Sequence, residues 1–322
     1  MRLFVTGGAG FIGSNYVRHV LGTTDDEVTV FDALTYAGNL ENLRHVADDS
    51  RYRFVRGDIA DRDAVREAIA GHDAVMHFAA ETHVDRSLLD PDVFVRTNCT
   101  GTNVLCDESL RAGVERFVHI STDEVYGSID DGAFAETDPL EPSSPYSASK
   151  AGSDLIALSH HTSNDLPVVV TRSSNQFGPY QFPEKLIPFF VTTLLQGGNV
   201  ALYGDGLNVR DWLFVEDNCL AVDIVLRRGE PGEIYNIGGR NERTNRAVTE
   251  ALLACLGLDE SRIDYIEDRK GHDRRYALRT DKIAALGLEA PRDFEQALQA
   301  TVRWYVDNER WWRPLVDRVR NR

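Results

Sequence analysis

The chain is poor in cysteine and has no long apolar run. Its four cysteines, Cys99, Cys106, Cys219 and Cys255, stand far apart and form no C-x-x-C pair. That spacing gives no zinc pattern and reads as reduced, mostly buried thiols in a cytoplasmic protein. No window reaches about eighteen continuous apolar residues, so no membrane span is expected. No basic stretch followed by an apolar core opens the sequence, so no secretory leader is expected. Positive charge is scarce as well: 35 Lys and Arg stand against 51 Asp and Glu, a net charge of -16. This argues against a general nucleic-acid or anionic-membrane binder, because phosphates need a positive face. It leaves room for a small anionic ligand held by a local cluster of donors. Arg318, Arg320 and Arg322 form a short basic tail that reads as solvated.

What is present is ordinary globular composition, 42% hydrophobic and 27% charged over 322 residues. That is ample for a sizeable core. Short β-type runs fall at residues 2–6, 27–32, 52–55, 74–78, 117–121 and 167–171. Helical patterns lie between them, at 11–21, 61–70, 93–112 and 145–161. Alternating strands and helices predict an α/β fold: a doubly wound, Rossmann-like parallel sheet covered on both faces. From about Arg172 the rhythm becomes irregular, with Pro, Gly, Tyr and Asn enriched. Residues 212–226 and 233–237 read as a return to the main sheet. The expected division is a cofactor domain over 1–172 with a return segment at 213–237. Residues 173–212 and 238–322 make a smaller, mixed α/β ligand-binding domain.

"TGGAGFIG" carries Gly7, Gly10 and Gly13 between a predicted strand and a predicted helix. Glycines there let the backbone turn tightly against a pyrophosphate, and the helix N-terminus donates N–H groups to it. Phe11 and Ile12, inside the loop, count among the cofactor contacts. Asp32 ends the second strand nineteen residues after Gly13. A carboxylate there accepts from a ribose 2′-OH and repels a 2′-phosphate, which favours NAD over NADP. Asp58 and Ile59 are candidates to flank the adenine, although Asp58 reads equally as a helix cap. In "HFAAETHVD" small residues follow the fourth strand, where they let a dinucleotide pass close to the backbone.

Tyr146 and Lys150 lie four apart on a predicted helix, hence on one face. A phenol has an ordinary pKa of about 10. A nearby ammonium and a positive nicotinamide ring favour phenolate, so the pair is suited to taking a proton from an alcohol. "STDEVYG" then places Asp123 and Glu124 side by side at the end of a core strand. A bare Asp-Glu dipeptide reads as solvated loop acids or a cap. After Ser-Thr in this setting it reads as an acid and a base, because close like charges push one pKa upward.

Together these features resemble the extended short-chain dehydrogenase/reductase family, and within it the nucleotide-sugar dehydratases. The match runs nearly end to end, through "TGGAGFIGSN", "LTYAGNLENL", "GDI", "HFAAETHVDRS", "STDEVYG", "PYSASKAGSD", "GPYQFPEKLIP", "LYGDGLNVRDWLFVEDN", "YNIGG" and "DRKGHDRRYA". The resemblance implies NAD as cofactor, dTDP-glucose as substrate and a homodimer packed through residues 93–112 and 145–161. It implies that Thr122 shares the substrate hydroxyl with Tyr146, and that Lys150 supports Tyr146. Glu124 would take the C5 proton and Asp123 would protonate the departing C6 hydroxyl. It points to Asn175, Glu184, Lys185, Leu186, Tyr203, Arg210, Asn245, Arg269, His272 and Tyr276 as nucleotide-sugar contacts, and Ser87 as a sugar contact. Arg210 and Arg269 suit a pyrophosphate best, or else pair with Asp205, Asp211 or Asp268. Asn175 is either a contact or a turn residue, and His272 a contact or a structural histidine. Trp311 and Trp312 read as packing. Gln176, Phe177 and Lys270 depart from the commoner pattern and bear on substrate preference. No metal site is expected. Competing readings are an epimerase or dehydratase acting on UDP- or GDP-sugars, and a non-catalytic NAD sensor. The pathway served is not legible.

Overall fold

The computed structural model describes residues 1–268 and 273–320. The apolar runs form strands and the amphipathic stretches between them form helices. In chain order these are β1 (Arg2–Thr6), α1 (Phe11–Thr23), β2 (Glu27–Asp32), β3 (Tyr52–Arg56), α2 (Arg62–Ile69) and β4 (Ala74–His77). There follow α3 (Val84–Leu89), α4 (Pro91–Phe94), a π-helical turn (Val95–Gly101), α5 (Thr102–Ala112), β5 (Arg116–Thr122), α6 (Pro145–Asn164) and β6 (Val168–Ser173). The remainder comprises β7 (Asn175–Phe177), α7 (Leu186–Leu195), β8 (Val200–Tyr203), β9 (Val209–Phe214), α8 (Val215–Arg228), β10 (Ile234–Ile237) and β11 (Glu242–Thr244). Then come α9 (Asn245–Leu256), β12 (Ile263–Ile266), α10 (Asp281–Ala285), α11 (Phe294–Asp307) and α12 (Glu309–Arg320).

Seven strands form one parallel sheet in the order β10-β6-β5-β4-β1-β2-β3. Strand alternation splits its core in two. Leu3 and Val5 face α1 and α8, whereas Phe4 faces α2, α5 and α6. Burial on both faces is why these strands read as continuous apolar runs. Smaller sheets, β11-β9-β7 and β12-β8, sit over a separate core with α7, α9 and α11. β10 returns to the main sheet beside β6, and α8 packs beneath it. Trp212 does not return: it lies in β9, paired with Asn175 of β7.

Local signals fix the elements that carry the site. Ser144 caps α6 in a reciprocal box with Ser147, and Pro145 occupies the first helical position. Residues 93–112, read as one helix, are interrupted by the π-helical turn. There Asn98 turns its side chain to the Glu81 backbone and to Ser149.

Candidate active site

A cleft of about 920 Å³ opens at the C-terminal ends of β1, β2, β4 and β5. This is where the strand order reverses, the usual ligand crevice of such sheets. Gly7 has φ +67°, and an added Cβ would stand 2.6 Å from the Ala79 amide nitrogen. A Cβ on Gly13 would stand 2.3 Å from the Gly7 carbonyl oxygen. Glycine thus lets the loop close on β4 and on its own helix. Gly10, Phe11, Ile12 and Gly13 line the cleft, and no side chain caps α1. Asp32, also on the wall, accepts from the Ala9 N–H at 2.9 Å and the Leu34 N–H at 2.8 Å. Burial pushes this carboxyl up, and those two amides oppose the shift. A cradle that a Cβ would fill, an open helix N-terminus and a ribose-side acid together fit NAD.

Asp58 and Ile59 line the same cleft. Asp58 accepts from the Ala60 N–H at 2.9 Å and pairs with Arg96 at 2.8 Å. It does not cap α2: Asp61 does, accepting from the Asp63 and Ala64 amides. Phe78, Ala79 and Ala80 continue the wall.

The other half of the cleft is built where β5 ends. Ser121, Thr122 and Glu124 line the cleft, and so does Tyr146. Thr122 caps a single 3₁₀ turn, accepting from the Glu124 N–H at 3.3 Å and donating to Asp123 Oδ1 at 3.2 Å. This turn sends the two acids apart. Glu124 goes to the cleft, whereas Asp123 is 1% exposed and its Oδ2 has no hydrogen-bond partner. Burial, then Glu124, then Asp211 push the Asp123 carboxyl well above the ordinary range. Burial and Glu124 likewise hold Tyr146 as a phenol, opposed by its hydrogen bond with Thr122. Lys150 stands behind this wall and donates to the Ile120 carbonyl at 2.8 Å. Burial brings its pKa down to about 8, against the pull of Asp154.

The opposite wall carries Asn175, Glu184, Lys185, Leu186, Tyr203, Arg210, Asn245 and Tyr276. Asn175 lies in a strand, not a turn, and its amide oxygen is buried without a partner. Arg210 donates to the carbonyls of Val209 and Asp273 at 2.8 and 2.9 Å, and its guanidinium lies 4.4 Å from the Tyr276 ring. Asp205 pairs instead with Arg274, and Asp211 holds the Gly239 and Asn241 amides. Tyr276 donates to Asp273, and burial raises its phenol. Glu184 accepts from the Tyr36 hydroxyl, and Lys185 donates to the Thr82 carbonyl.

A family model described as GDP-mannose 4,6 dehydratase matches residues 4–301. The dTDP-glucose 4,6-dehydratase of Streptomyces antibioticus is 57% identical over 99% of this chain and 96% of its own length. The crystal structure of DesIV, the dTDP-glucose 4,6-dehydratase of Streptomyces venezuelae, with NAD and TYD bound, superposes with a TM-score of 0.96. It is 54% identical, covering 98% of this chain and 100% of that one. The chain belongs to the dTDP-glucose 4,6-dehydratase family of extended short-chain dehydrogenases/reductases. The UDP-glucose 4-epimerase of Thermus thermophilus, solved with NAD, shares the fold at 32% identity and a TM-score of 0.89. The similarity covers 96% of this chain and 100% of that one.

Within this family frame some sequence expectations move. Ser87 is not on the cleft wall: it is fully buried and its hydroxyl donates to the Val84 carbonyl at 2.6 Å. Gln176 lines the cleft, whereas Phe177 is a core residue against Trp212 and Phe294. Arg269, Lys270 and His272 lie outside the described residues. Trp312 is buried, and Trp311 donates to Asn42 at 2.9 Å, joining α12 to the cofactor side. Arg318, on the same helix, is exposed and borders the cleft. Sequence reasoning also passed over Tyr36, Arg86 and Phe182. The Arg86 guanidinium lies 3.6 Å from the Tyr36 ring centre, and Phe182 meets that ring edge-on. The signal was indirect: Tyr36, Arg86 and Phe182 sit inside segments that carry the family resemblance.

Proposed function

We infer that the protein is an NAD-dependent dTDP-glucose 4,6-dehydratase, converting dTDP-glucose to dTDP-4-keto-6-deoxyglucose and water. The observation that carries this reading is the divergence of the two acids after Thr122: Glu124 on the cleft wall with Tyr146, Asp123 buried with its carboxyl pushed upward by that burial. In the cofactor-free cleft burial keeps Tyr146 a phenol; the Lys150 ammonium and the positive nicotinamide of bound NAD favour the phenolate that takes the C4 hydroxyl proton, with Thr122 sharing that hydroxyl. Once C4 is a ketone the C5 hydrogen is acidic, and Glu124 removes it. Asp123 delivers its proton to the C6 hydroxyl, which leaves as water. When bound, NAD accepts hydride from C4 and returns it to C6, so the cycle has no net redox change. The proton held by Glu124 is then available to C5. Acid and base work are divided by place: Glu124 lies on the cleft wall, and Asp123, whose carboxyl burial raises, lies buried behind the turn that presents it.

Gly7, Gly10, Phe11, Ile12, Gly13, Asp32, Asp58 and Ile59 hold the cofactor in this reading. Arg210, over Tyr276, is the pyrophosphate donor, and Asn175 offers its unpartnered oxygen to the sugar. A homodimer and a cytoplasmic location belong to the same proposal. Leu110 of α5 and Leu155 of α6 are 38% and 59% exposed, an apolar face suited to a second copy. The four cysteines are free thiols, as a reducing compartment keeps them. Among the described residues no helix is long and apolar enough to cross a membrane.

The test is mass spectrometry of dTDP-glucose incubated with the purified protein and no added reductant. A product lighter by one water, without net NADH, is expected. An isomer of unchanged mass and galacto configuration contradicts the reading.

A further inference from the structure

Behind the catalytic wall lie three buried charged side chains, of which the mechanism above uses one. Lys150, Asp154 and Arg172 are 4%, 0% and 2% exposed. Arg172, on β6, donates from Nε to Asp154 Oδ2 at 2.9 Å, and its guanidinium lies 4.7 Å from the Tyr126 ring centre. His119, on β5, places Nε2 3.2 Å from Asp154 Oδ1. Asp154 stands one helical turn after Lys150 on α6. The Lys150 ammonium donates to the carbonyl of Ile120, a neutral acceptor. A buried ammonium so placed needs a counter-charge to stay protonated. The buried carboxylate at hand is Asp154, which also serves Arg172.

We propose that Asp154 is a positioning residue that keeps Lys150 charged, that Arg172 competes for the same carboxylate, and that this division sets the working pH of the Tyr146–Lys150 pair. The proposal rests on reading that pair as the proton-handling groups.

The surroundings leave few other charges to act on Lys150. His77 faces it from β4 and His119 from β5; burial drives His77 well below the ordinary range and His119 to about 4, so both are neutral. Cys99 faces it from the π-helical turn, and burial raises that thiol. Tyr146, on its own helix, is held as a phenol in the same way. Arg172 faces it from β6 through Asp154. Two variants should therefore act in opposite directions. Asp154→Asn removes the counter-charge, so Lys150 gives up its proton at lower pH. Arg172→Gln removes the competing cation and leaves the carboxylate to Lys150, which then keeps its proton to higher pH.

The chain has four lysines, so its lysine ε-carbons are resolvable by ¹³C NMR after selective labelling. The resonance of Lys150, assigned with Lys150→Met, is titrated in protein carrying NAD and no substrate. Its midpoint should fall by about one pH unit in Asp154→Asn and rise in Arg172→Gln. Circular dichroism and retained NAD report the fold. Unmoved midpoints in the folded variants overturn the proposal, and so do shifts in the same direction. Should one variant not fold, the sign in the other decides by itself. A failure of the underlying reading shows elsewhere, as dehydration that survives Lys150→Met.

Discussion

The Tyr36 hydroxyl donates to Glu184 Oε1 at 3.0 Å, across 148 residues of sequence. Tyr36 follows β2 on the cofactor side, and Glu184 precedes α7 on the opposite wall. Arg86 covers one face of the Tyr36 ring, and Lys185 adds a second tie to the Thr82 carbonyl. The two walls are thus fastened at the mouth of the cleft. Tyr36→Phe keeps the ring under Arg86 and deletes the hydrogen bond to the Glu184 carboxylate, a loss of about 1.5 kcal/mol. Steady-state kinetics should show KM raised about tenfold with kcat little changed, the size that loss implies.

Asp32 does two things at once, lining the cleft proposed for NAD and holding the Ala9 and Leu34 amides. An Asn amide presents its own NH₂ donor to one of those N–H groups. Asp32→Asn should therefore lower stability by about 1–3 kcal/mol in cofactor-free protein. NAD should bind at least about tenfold more weakly, the cost of one lost charge-assisted bond. Denaturant unfolding and NAD titration check the two effects separately.

His119 is buried and neutral, with its pKa lowered from 6.5 to about 4 by burial and Lys150. As pH falls below 6.5 the unfolded chain takes a proton that the folded chain refuses. The stability this group contributes is present above that value and is lost progressively down to about 4. His119→Gln removes the titration. Within that window its unfolding free energy should fall less steeply than wild type, by up to about 1.4 kcal/mol per pH unit. Denaturant unfolding at a series of pH values between those limits reads the difference.

Ser144 and Ser147 begin the helix that presents Tyr146, which is its second residue. Ser144→Ala should cost about 1 kcal/mol and lower Tm by about 2 °C. Because the first turn carries the catalytic phenol, kcat should fall with it. A Tm loss with kcat unchanged would separate the cap from the chemistry.

The main sheet was legible because strands buried on both faces leave continuous apolar runs, such as Val168 to Val170. That the glycine loop, Asp32, Glu124 and Tyr146 border one cleft was legible because each lies next to the turn or helix that presents it; that the turn after Thr122 buries Asp123 off the cleft wall was not. What escaped depends on partners far away in sequence. Trp212 looks like any sheet residue until Asn175 pairs with it. Ser87 is polar, but the short helix α3 turns it inward onto Val84. Arg318 sits in a basic tail, on a helix whose Trp311 meets the distant Asn42, and it borders the cleft. Asp154 and Arg172 carry no local signal; β5, β6 and α6 bury them together.

The central claim is that Glu124 removes the C5 proton after Tyr146 has opened the reaction. Its most direct test is a single turnover of Glu124→Gln, with NAD bound and dTDP-glucose added, followed by the absorbance of reduced nicotinamide and by product mass. Reduced nicotinamide that accumulates on the protein, with no water lost from the sugar, is the predicted result. Dehydrated product formed at the wild-type rate would contradict it.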